Sequence, residues 1–269
     1  RIGEQADPEL HLHLEGVDLA PIIDKAREYD TLGSRKQKIR EILFTALGLP
    51  PDATLVDHTV TYRGVRRKGC VRFANVRELA DNQLRCPVDA EWYVVLDYPF
   101  DQGDHSPEED VQHIEQFVER TGGAEEPTLA WLPTFFSHTL EQTLADFVAI
   151  DHIVSGDVSR YLGHLRTEDQ IQARGDLQSL RDQKQDQIKR ALSAAYGMTT
   201  EKDNPALDPT RRVEDHFVAL APSLAINALL AGSLADGLVQ LVDRLLEHRY
   251  PHHPQFGATV TSGKLQRVR

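Results

Sequence analysis

Three groups of residues have the types and spacing that chemistry requires. The first runs from Asp97 through Tyr98, Pro99 and Phe100 to Asp101. An acid at the exit of an apolar strand is where a Walker-B carboxylate holds magnesium. Asp104 and His105 follow, with Glu108, Glu109 and Asp110 close behind. Asp97, Asp101, Asp104 and His105 together offer oxygen ligands and one imidazole, a set suited to Mg²⁺ or Mn²⁺. The plainer reading is that Asp97 bonds backbone as its strand ends. On that reading the later acids simply favour the positive end of a helix.

The second group is basic. Arg63, Arg66, Arg67, Lys68, Arg72 and Arg77 place six cations within 15 residues. Such a cluster can contact phosphates, and Tyr62 or Phe73 can add stacking on a base. The plainer reading is a surface paired with acidic helices of this or a neighbouring domain. The third group is the histidines. His11 and His13 alternate on a possible strand, His252 and His253 sit between prolines, and His138 and His152 lie near Asp146 and Asp151. Neither the His11/His13 nor the His252/His253 pair has a carboxylate or cysteine companion at metal spacing, and solvated or packing roles are expected for all six.

Several activities lack their motifs. There is no G-x-x-x-x-G-K-[ST], G-x-S-x-G, H-E-x-x-H or cysteine–histidine arrangement. Cys70 and Cys86 form no CxxC, which suggests a reducing cytoplasm. The net charge of −12 disfavours wholesale binding to nucleic acid or an anionic membrane, although a local basic patch still permits DNA contact. Phe217–Ala235 spans 19 residues without a charge, but it contains Pro222, Ser223, Asn227 and Gly232 and is expected to be buried core. The first residue is Arg1 and the only methionine is Met198, so an interior segment of a longer protein is expected.

The elements that must position these groups follow from periodicity. Residues 17–28 and 35–48 read as helices, with Asp18 as cap of the first and a Ser34/Gln37 box opening the second. Gly48 ends that helix. His58–Tyr62 and Gly69–Ala74 read as strands flanking a basic tip from Arg63 to Lys68. Trp92–Tyr98 is a buried strand. Ser106, Pro107 and Glu109 start a helix that Gly122 and Gly123 stop, and Pro127–Leu132 is a second apolar strand. Strand, helix and strand at this spacing predict a parallel βαβ unit. Leu140–Val154 is helical. Thr167 with Gln170 opens a long polar helix to about Tyr196, whose thin stripe of Ile171, Leu177, Leu180, Ile188 and Leu192 suits an arm pairing with one neighbour. A linker over 201–212 precedes a last helix carrying Leu234, Leu238, Leu241, Val242, Leu245 and Leu246.

The expected fold is mixed α+β. Residues 1–136 hold the basic hairpin and a βαβ-containing sheet, and 137–269 form a helical region with the exposed helix 167–196.

Several segments in order carry a resemblance: Gly16-Val17-Asp18, Tyr62-Arg63-Gly64-Val65-Arg66-Arg67, Phe73-Ala74-Asn75-Val76-Arg77-Glu78, Leu96 to Asp101, Trp131 to Phe135, Ala195-Tyr196-Gly197 and Tyr250 to Pro254. Together they resemble the central part of PglY-type P-loop proteins of phage growth limitation and BREX defence systems. The resemblance covers nearly the whole chain, and the order of the segments rather than any single motif carries it. It implies a large cytoplasmic ATPase that uses ATP and Mg²⁺ and acts with a DNA methyltransferase and a phosphatase-like protein. Without a P-loop, this segment is expected to bind no cofactor itself, and the nucleotide site falls elsewhere in the parent.

The function expected is therefore a non-catalytic structural and interaction segment, coupling the parent ATPase to DNA or partner proteins. Two alternatives stand beside it: a DNA-binding module using Arg63, Arg66, Arg67, Lys68 and Arg72, and a metal-dependent enzyme domain.

Overall fold

β-Branched and aromatic residues favour extended backbone in the first element pair, and a two-residue turn fixes its register. The computed structural model describes residues 17–101, 105–198, 216–226, 229 and 231–254. Strand β1 (Leu55–Tyr62) pairs antiparallel with β2 (Val65–Phe73) through an unbroken register from Leu55↔Arg72 to Tyr62↔Val65. Arg63 (φ 47°) and Gly64 (φ 82°) make the turn. Two consecutive positive φ values are the type I′ geometry that matches strand twist. The basic tip is therefore two residues long rather than six. Arg66, Arg67 and Lys68 lie within β2, where their side chains alternate between faces.

The sheet continues with β3 (Tyr93–Leu96) and β4 (Thr128–Trp131), each parallel to its predecessor. Helix α4 (Pro107–Arg120) joins them, so the βαβ unit is present. Gly122 (φ 68°) and Gly123 (φ 72°) stop α4 in the left-handed conformation that glycine tolerates. A fifth strand, β5 (Phe217–Ala219), pairs antiparallel with β4 and completes the order β1-β2-β3-β4-β5. It falls in the uncharged stretch expected only to be buried. Three residues carry no readable period, so only pairing with Trp131 and its neighbours reveals the strand.

Helices cover both faces. Before the sheet come α1 (Ala20–Asp24) and α2 (Leu32–Leu47), and α3 (Asp81–Leu84) precedes β3. After β4 come α5 (His138–Ser155), α6 (Val158–Leu162), α7 (Thr167–Ala195) and α8 (Leu234–Arg249). The cap of α1 is Leu19 rather than Asp18; Asp18, one residue earlier, accepts from the Ala20 N–H at 3.1 Å. Helix α2 starts one turn earlier than the Ser34/Gln37 box predicts. Its cap is Thr31, which accepts from the Ser34 N–H at 3.1 Å, while Gln37 bonds Glu41. Gly48 (φ 72°) ends it. No helix among the described residues is long and apolar enough to cross a membrane. The linker 201–212 and residues His11 and His13 lie outside the described residues.

One cluster fills the sheet face under α2, α5, α7 and α8, joining Val71, Val94 and Trp131 to Leu43, Phe147, Leu192, Leu241 and Leu245. A smaller cluster packs Tyr93, Val95 and Ala130 against Ile114 and Phe117 of α4. A third binds Ile22 of α1 to Ile153, Leu162 and Leu177. The long helix α7 thus does not project as an arm. Leu177, Ile188 and Leu192 are buried, and only Ile171 of the predicted stripe is exposed, at 71%.

Candidate functional site

Parallel strands β2 and β3 end side by side, and the crevice beyond such ends is where open α/β sheets place polar sites. Asp97 leaves β3 there and is 2% exposed. Its carboxylate accepts from the Val76 N–H at 3.1 Å and from the Tyr98 N–H. Burial pushes its acid constant up to about 6, against the pull of those bonds and of Arg77. A side-chain hydrogen bond from Asp110 also favours its ionised form, without outweighing burial.

Arg77 organises the rest. Asn75 follows β2 and turns the chain, its side chain accepting from the Arg77 N–H at 2.9 Å. The guanidinium then reaches Glu109 through Nη1 and Asp110 through Nε, each at 3.1 Å, and Asp101 through Nη2. Both Glu109 and Asp110 come from the first turn of α4. Glu109 also bonds His105 at 2.7 Å and the Ser106 N–H at 3.3 Å. Those bonds, His105 first, hold its carboxyl below the ordinary glutamate range. The Tyr196 hydroxyl, just beyond α7, donates to the Asp97 backbone carbonyl and closes the crevice from the helical side.

Of the proposed metal set, Asp97 therefore faces backbone amides and Asp110, Asp101 faces Arg77 and His105 faces Glu109. Asp104 lies outside the described residues. Among the described residues no group of three His, Cys, Asp or Glu side chains is arranged to hold a metal ion.

The basic residues do not converge. Arg63 donates to the His253 carbonyl at 2.7 Å and lies 3.6 Å from Glu247. Arg67 pairs with Glu91 at 2.6 Å and covers the Tyr250 ring at 4.2 Å. Lys68 sits between Asp89 (2.8 Å) and Asp57 (3.2 Å). Arg72 is half-buried on β2. Arg66 is exposed, and no ion pair holds it among the described residues.

His152 stacks on Tyr29 with centroids 3.5 Å apart, a packing role. Burial pushes the Cys70 thiol up to about 12 and the Cys86 thiol up to about 11, so neither is a ready thiolate.

One polar centre escaped sequence reasoning. Asp151, 3% exposed on α5, accepts from Lys38 of α2 at 2.8 Å and Arg181 of α7 at 2.5 Å. Burial opposes its ionisation, but the two cations outweigh it and hold the carboxyl below its ordinary value. The only signal was a lone acid inside the largely apolar stretch from Phe147 to Val154.

The stretch from residue 22 to 250, which holds this crevice and the sheet that builds it, matches a known family, the PglY fourth domain. The chain belongs to the PglY fourth-domain family. No solved structure matches it. The family match spans the sheet and, among the described residues, all eight α-helices apart from the first residues of α1, so the arginine-centred crevice lies within the PglY fourth domain.

Proposed function

We propose that this PglY domain is a non-catalytic structural and interaction segment of an antiphage defence ATPase. It carries nucleotide state from the rest of the parent to a partner-facing surface. One observation supports this above others: at the crevice where a reaction centre would sit, Asp101, Glu109 and Asp110 bind Arg77. The polar groups brace β2, β3 and α4 against one another. ATP and Mg²⁺ act elsewhere in the parent, in the cytoplasm, and a BREX-type methyltransferase and phosphatase-like protein are the partners.

The test uses the full-length parent carrying Arg77→Gln. Basal ATP hydrolysis should stay within about twofold of wild type, while co-purification with the two partners and phage restriction should fall about tenfold or more. Loss of hydrolysis with unchanged ATP binding would place catalytic groups in this domain and overturn the reading.

A second reading, DNA contact through β2, rests on Arg66, which is exposed and has no ion pair among the described residues. Fluorescence polarisation with a short duplex across a salt series tests it. Salt-sensitive binding lost in Arg66→Glu supports DNA contact. Binding that survives in Arg66→Glu, or none at low salt, removes it.

A further inference from the structure

Among the described residues the sheet ends in two edge strands, of which β1 is the longer. Strand β5 offers three residues, whereas β1 offers eight. A two-residue turn makes Tyr62↔Val65 a hydrogen-bonded pair, so Val60, His58 and Val56 also bond β2. The bond from the Phe73 N–H to the Thr54 carbonyl, 2.8 Å, continues that alternation. Asp57, Thr59 and Thr61 therefore aim their N–H and C=O groups away from β2, and among the described residues no backbone hydrogen bond reaches them. Their side chains are exposed. The strand has no proline and no bulge, two of the devices that blunt such an edge.

The sequence of this edge is complementary to itself. Place two copies of β1 antiparallel with Thr59 opposite Thr59. Asp57 then meets Thr61 of the other copy, and all three outward residues exchange backbone bonds. On the core face, His58 meets Val60 and Val56 meets Tyr62, which extends each apolar layer. On the open face, Thr59 meets Thr59, a favourable cross-strand pair, and no like charges are opposed. Arg66 neighbours Thr61 on β2. In the paired arrangement it lies two strands, about 10 Å between Cα atoms, from Asp57 of the other copy. An arginine and an aspartate together span that gap. Arg66, which meets no acid among the described residues of one chain, gains one in the pair.

We infer that β1 is a self-association edge, joining two copies of this chain by antiparallel β1–β1 pairing centred on Thr59. The contact is isologous, with each copy offering the same patch. It goes beyond the coupling role proposed above and does not depend on it.

Sedimentation of the 269-residue chain over a concentration series provides the first arm. A monomer–dimer equilibrium is expected, and Thr59→Pro should weaken it about tenfold or more. The Thr59 N–H points away from β2, so proline there leaves the hairpin ladder intact. Arg66→Glu, which sets like charges at each end of the pair, should also weaken it. Disulfide trapping under mild oxidation provides the second arm. Thr59→Cys should give a covalent dimer, because a hydrogen-bonded antiparallel pair sets Cα atoms about 5.5 Å apart, within disulfide range. Thr61→Cys should not, because its copies lie about 13 Å apart. Cys70 and Cys86 are present in both variants and cancel. A chain that stays monomeric at about 100 μM, far above a micromolar dissociation constant, overturns the proposal. So does a dimer indifferent to Thr59→Pro, or trapping at residue 61 but not 59.

Discussion

The Trp131 indole donates a 3.0 Å hydrogen bond to the Tyr196 carbonyl, and the two rings meet edge to face with centroids 5.6 Å apart. Trp131 ends β4 and Tyr196 follows α7, so one contact fastens the longest helix across the carboxyl edge of the sheet. The Tyr196 hydroxyl then reaches the Asp97 carbonyl on the next strand. Tyr196→Phe keeps the ring contact but leaves that buried carbonyl without its donor. The expected loss is about 1–3 kcal/mol in urea unfolding. An unchanged midpoint would show that the hydroxyl does not fasten α7 to β3.

Arg77 is the cation on which the crevice depends. Asp110 is 1% exposed, and Arg77→Met removes the guanidinium that faces its buried carboxylate. The expected destabilisation is about 3–5 kcal/mol at pH 7, as for breaking a buried pair from one side. It should shrink at pH 4, where the stranded carboxyls take up protons. A loss equal at both pH values would mean that packing of the side chain, not its charge, holds the site.

Asp97 sets a pH dependence of definite sign. Its folded acid constant, about 6, lies above the ordinary aspartate value, so the folded state binds the proton more tightly. Its contribution to stability is fully present below about pH 4 and is lost as pH rises through about 6. Asp97→Asn keeps an acceptor for the Val76 N–H and cannot ionise. Compared with this variant, the wild type should lose about 1–3 kcal/mol between about pH 4 and pH 7. Parallel stability–pH curves for the two proteins would sink this assignment.

Gly69 sits in β2 against the Trp92 ring. A Cβ there would fall inside contact distance of both the indole and the Trp92 carbonyl. Gly69→Ala should cost about 3 kcal/mol or more, because neither neighbour can move without parting β2 from β3. Thermal unfolding reads this directly, and a neutral result would require β2 and β3 to be spaced differently.

The hairpin, the βαβ unit and the amphipathic helices were legible in the chain itself. Each is dictated over short range: by turn residues such as Gly64, by the four-residue apolar run of β3, by the Ser106-Pro107 start of α4 and by the leucine period of α8. The family was legible from the order of its segments. Tertiary structure decided everything that depends on distant partners. Burial of α7 required the faces of α2 and α5. Strand β5 required β4 beside it. The basic cluster dispersed because strand alternation sends Arg67 to Tyr250 and Glu91 on one face and Lys68 to Asp57 and Asp89 on the other. The acids around Asp97 became a brace because the chain brings Arg77 among them from another strand exit. Local sequence sets torsion angles and faces. Which charges meet, and which carboxyl loses its water, depends on residues brought together from distant parts of the chain, and the sequence period does not record that meeting.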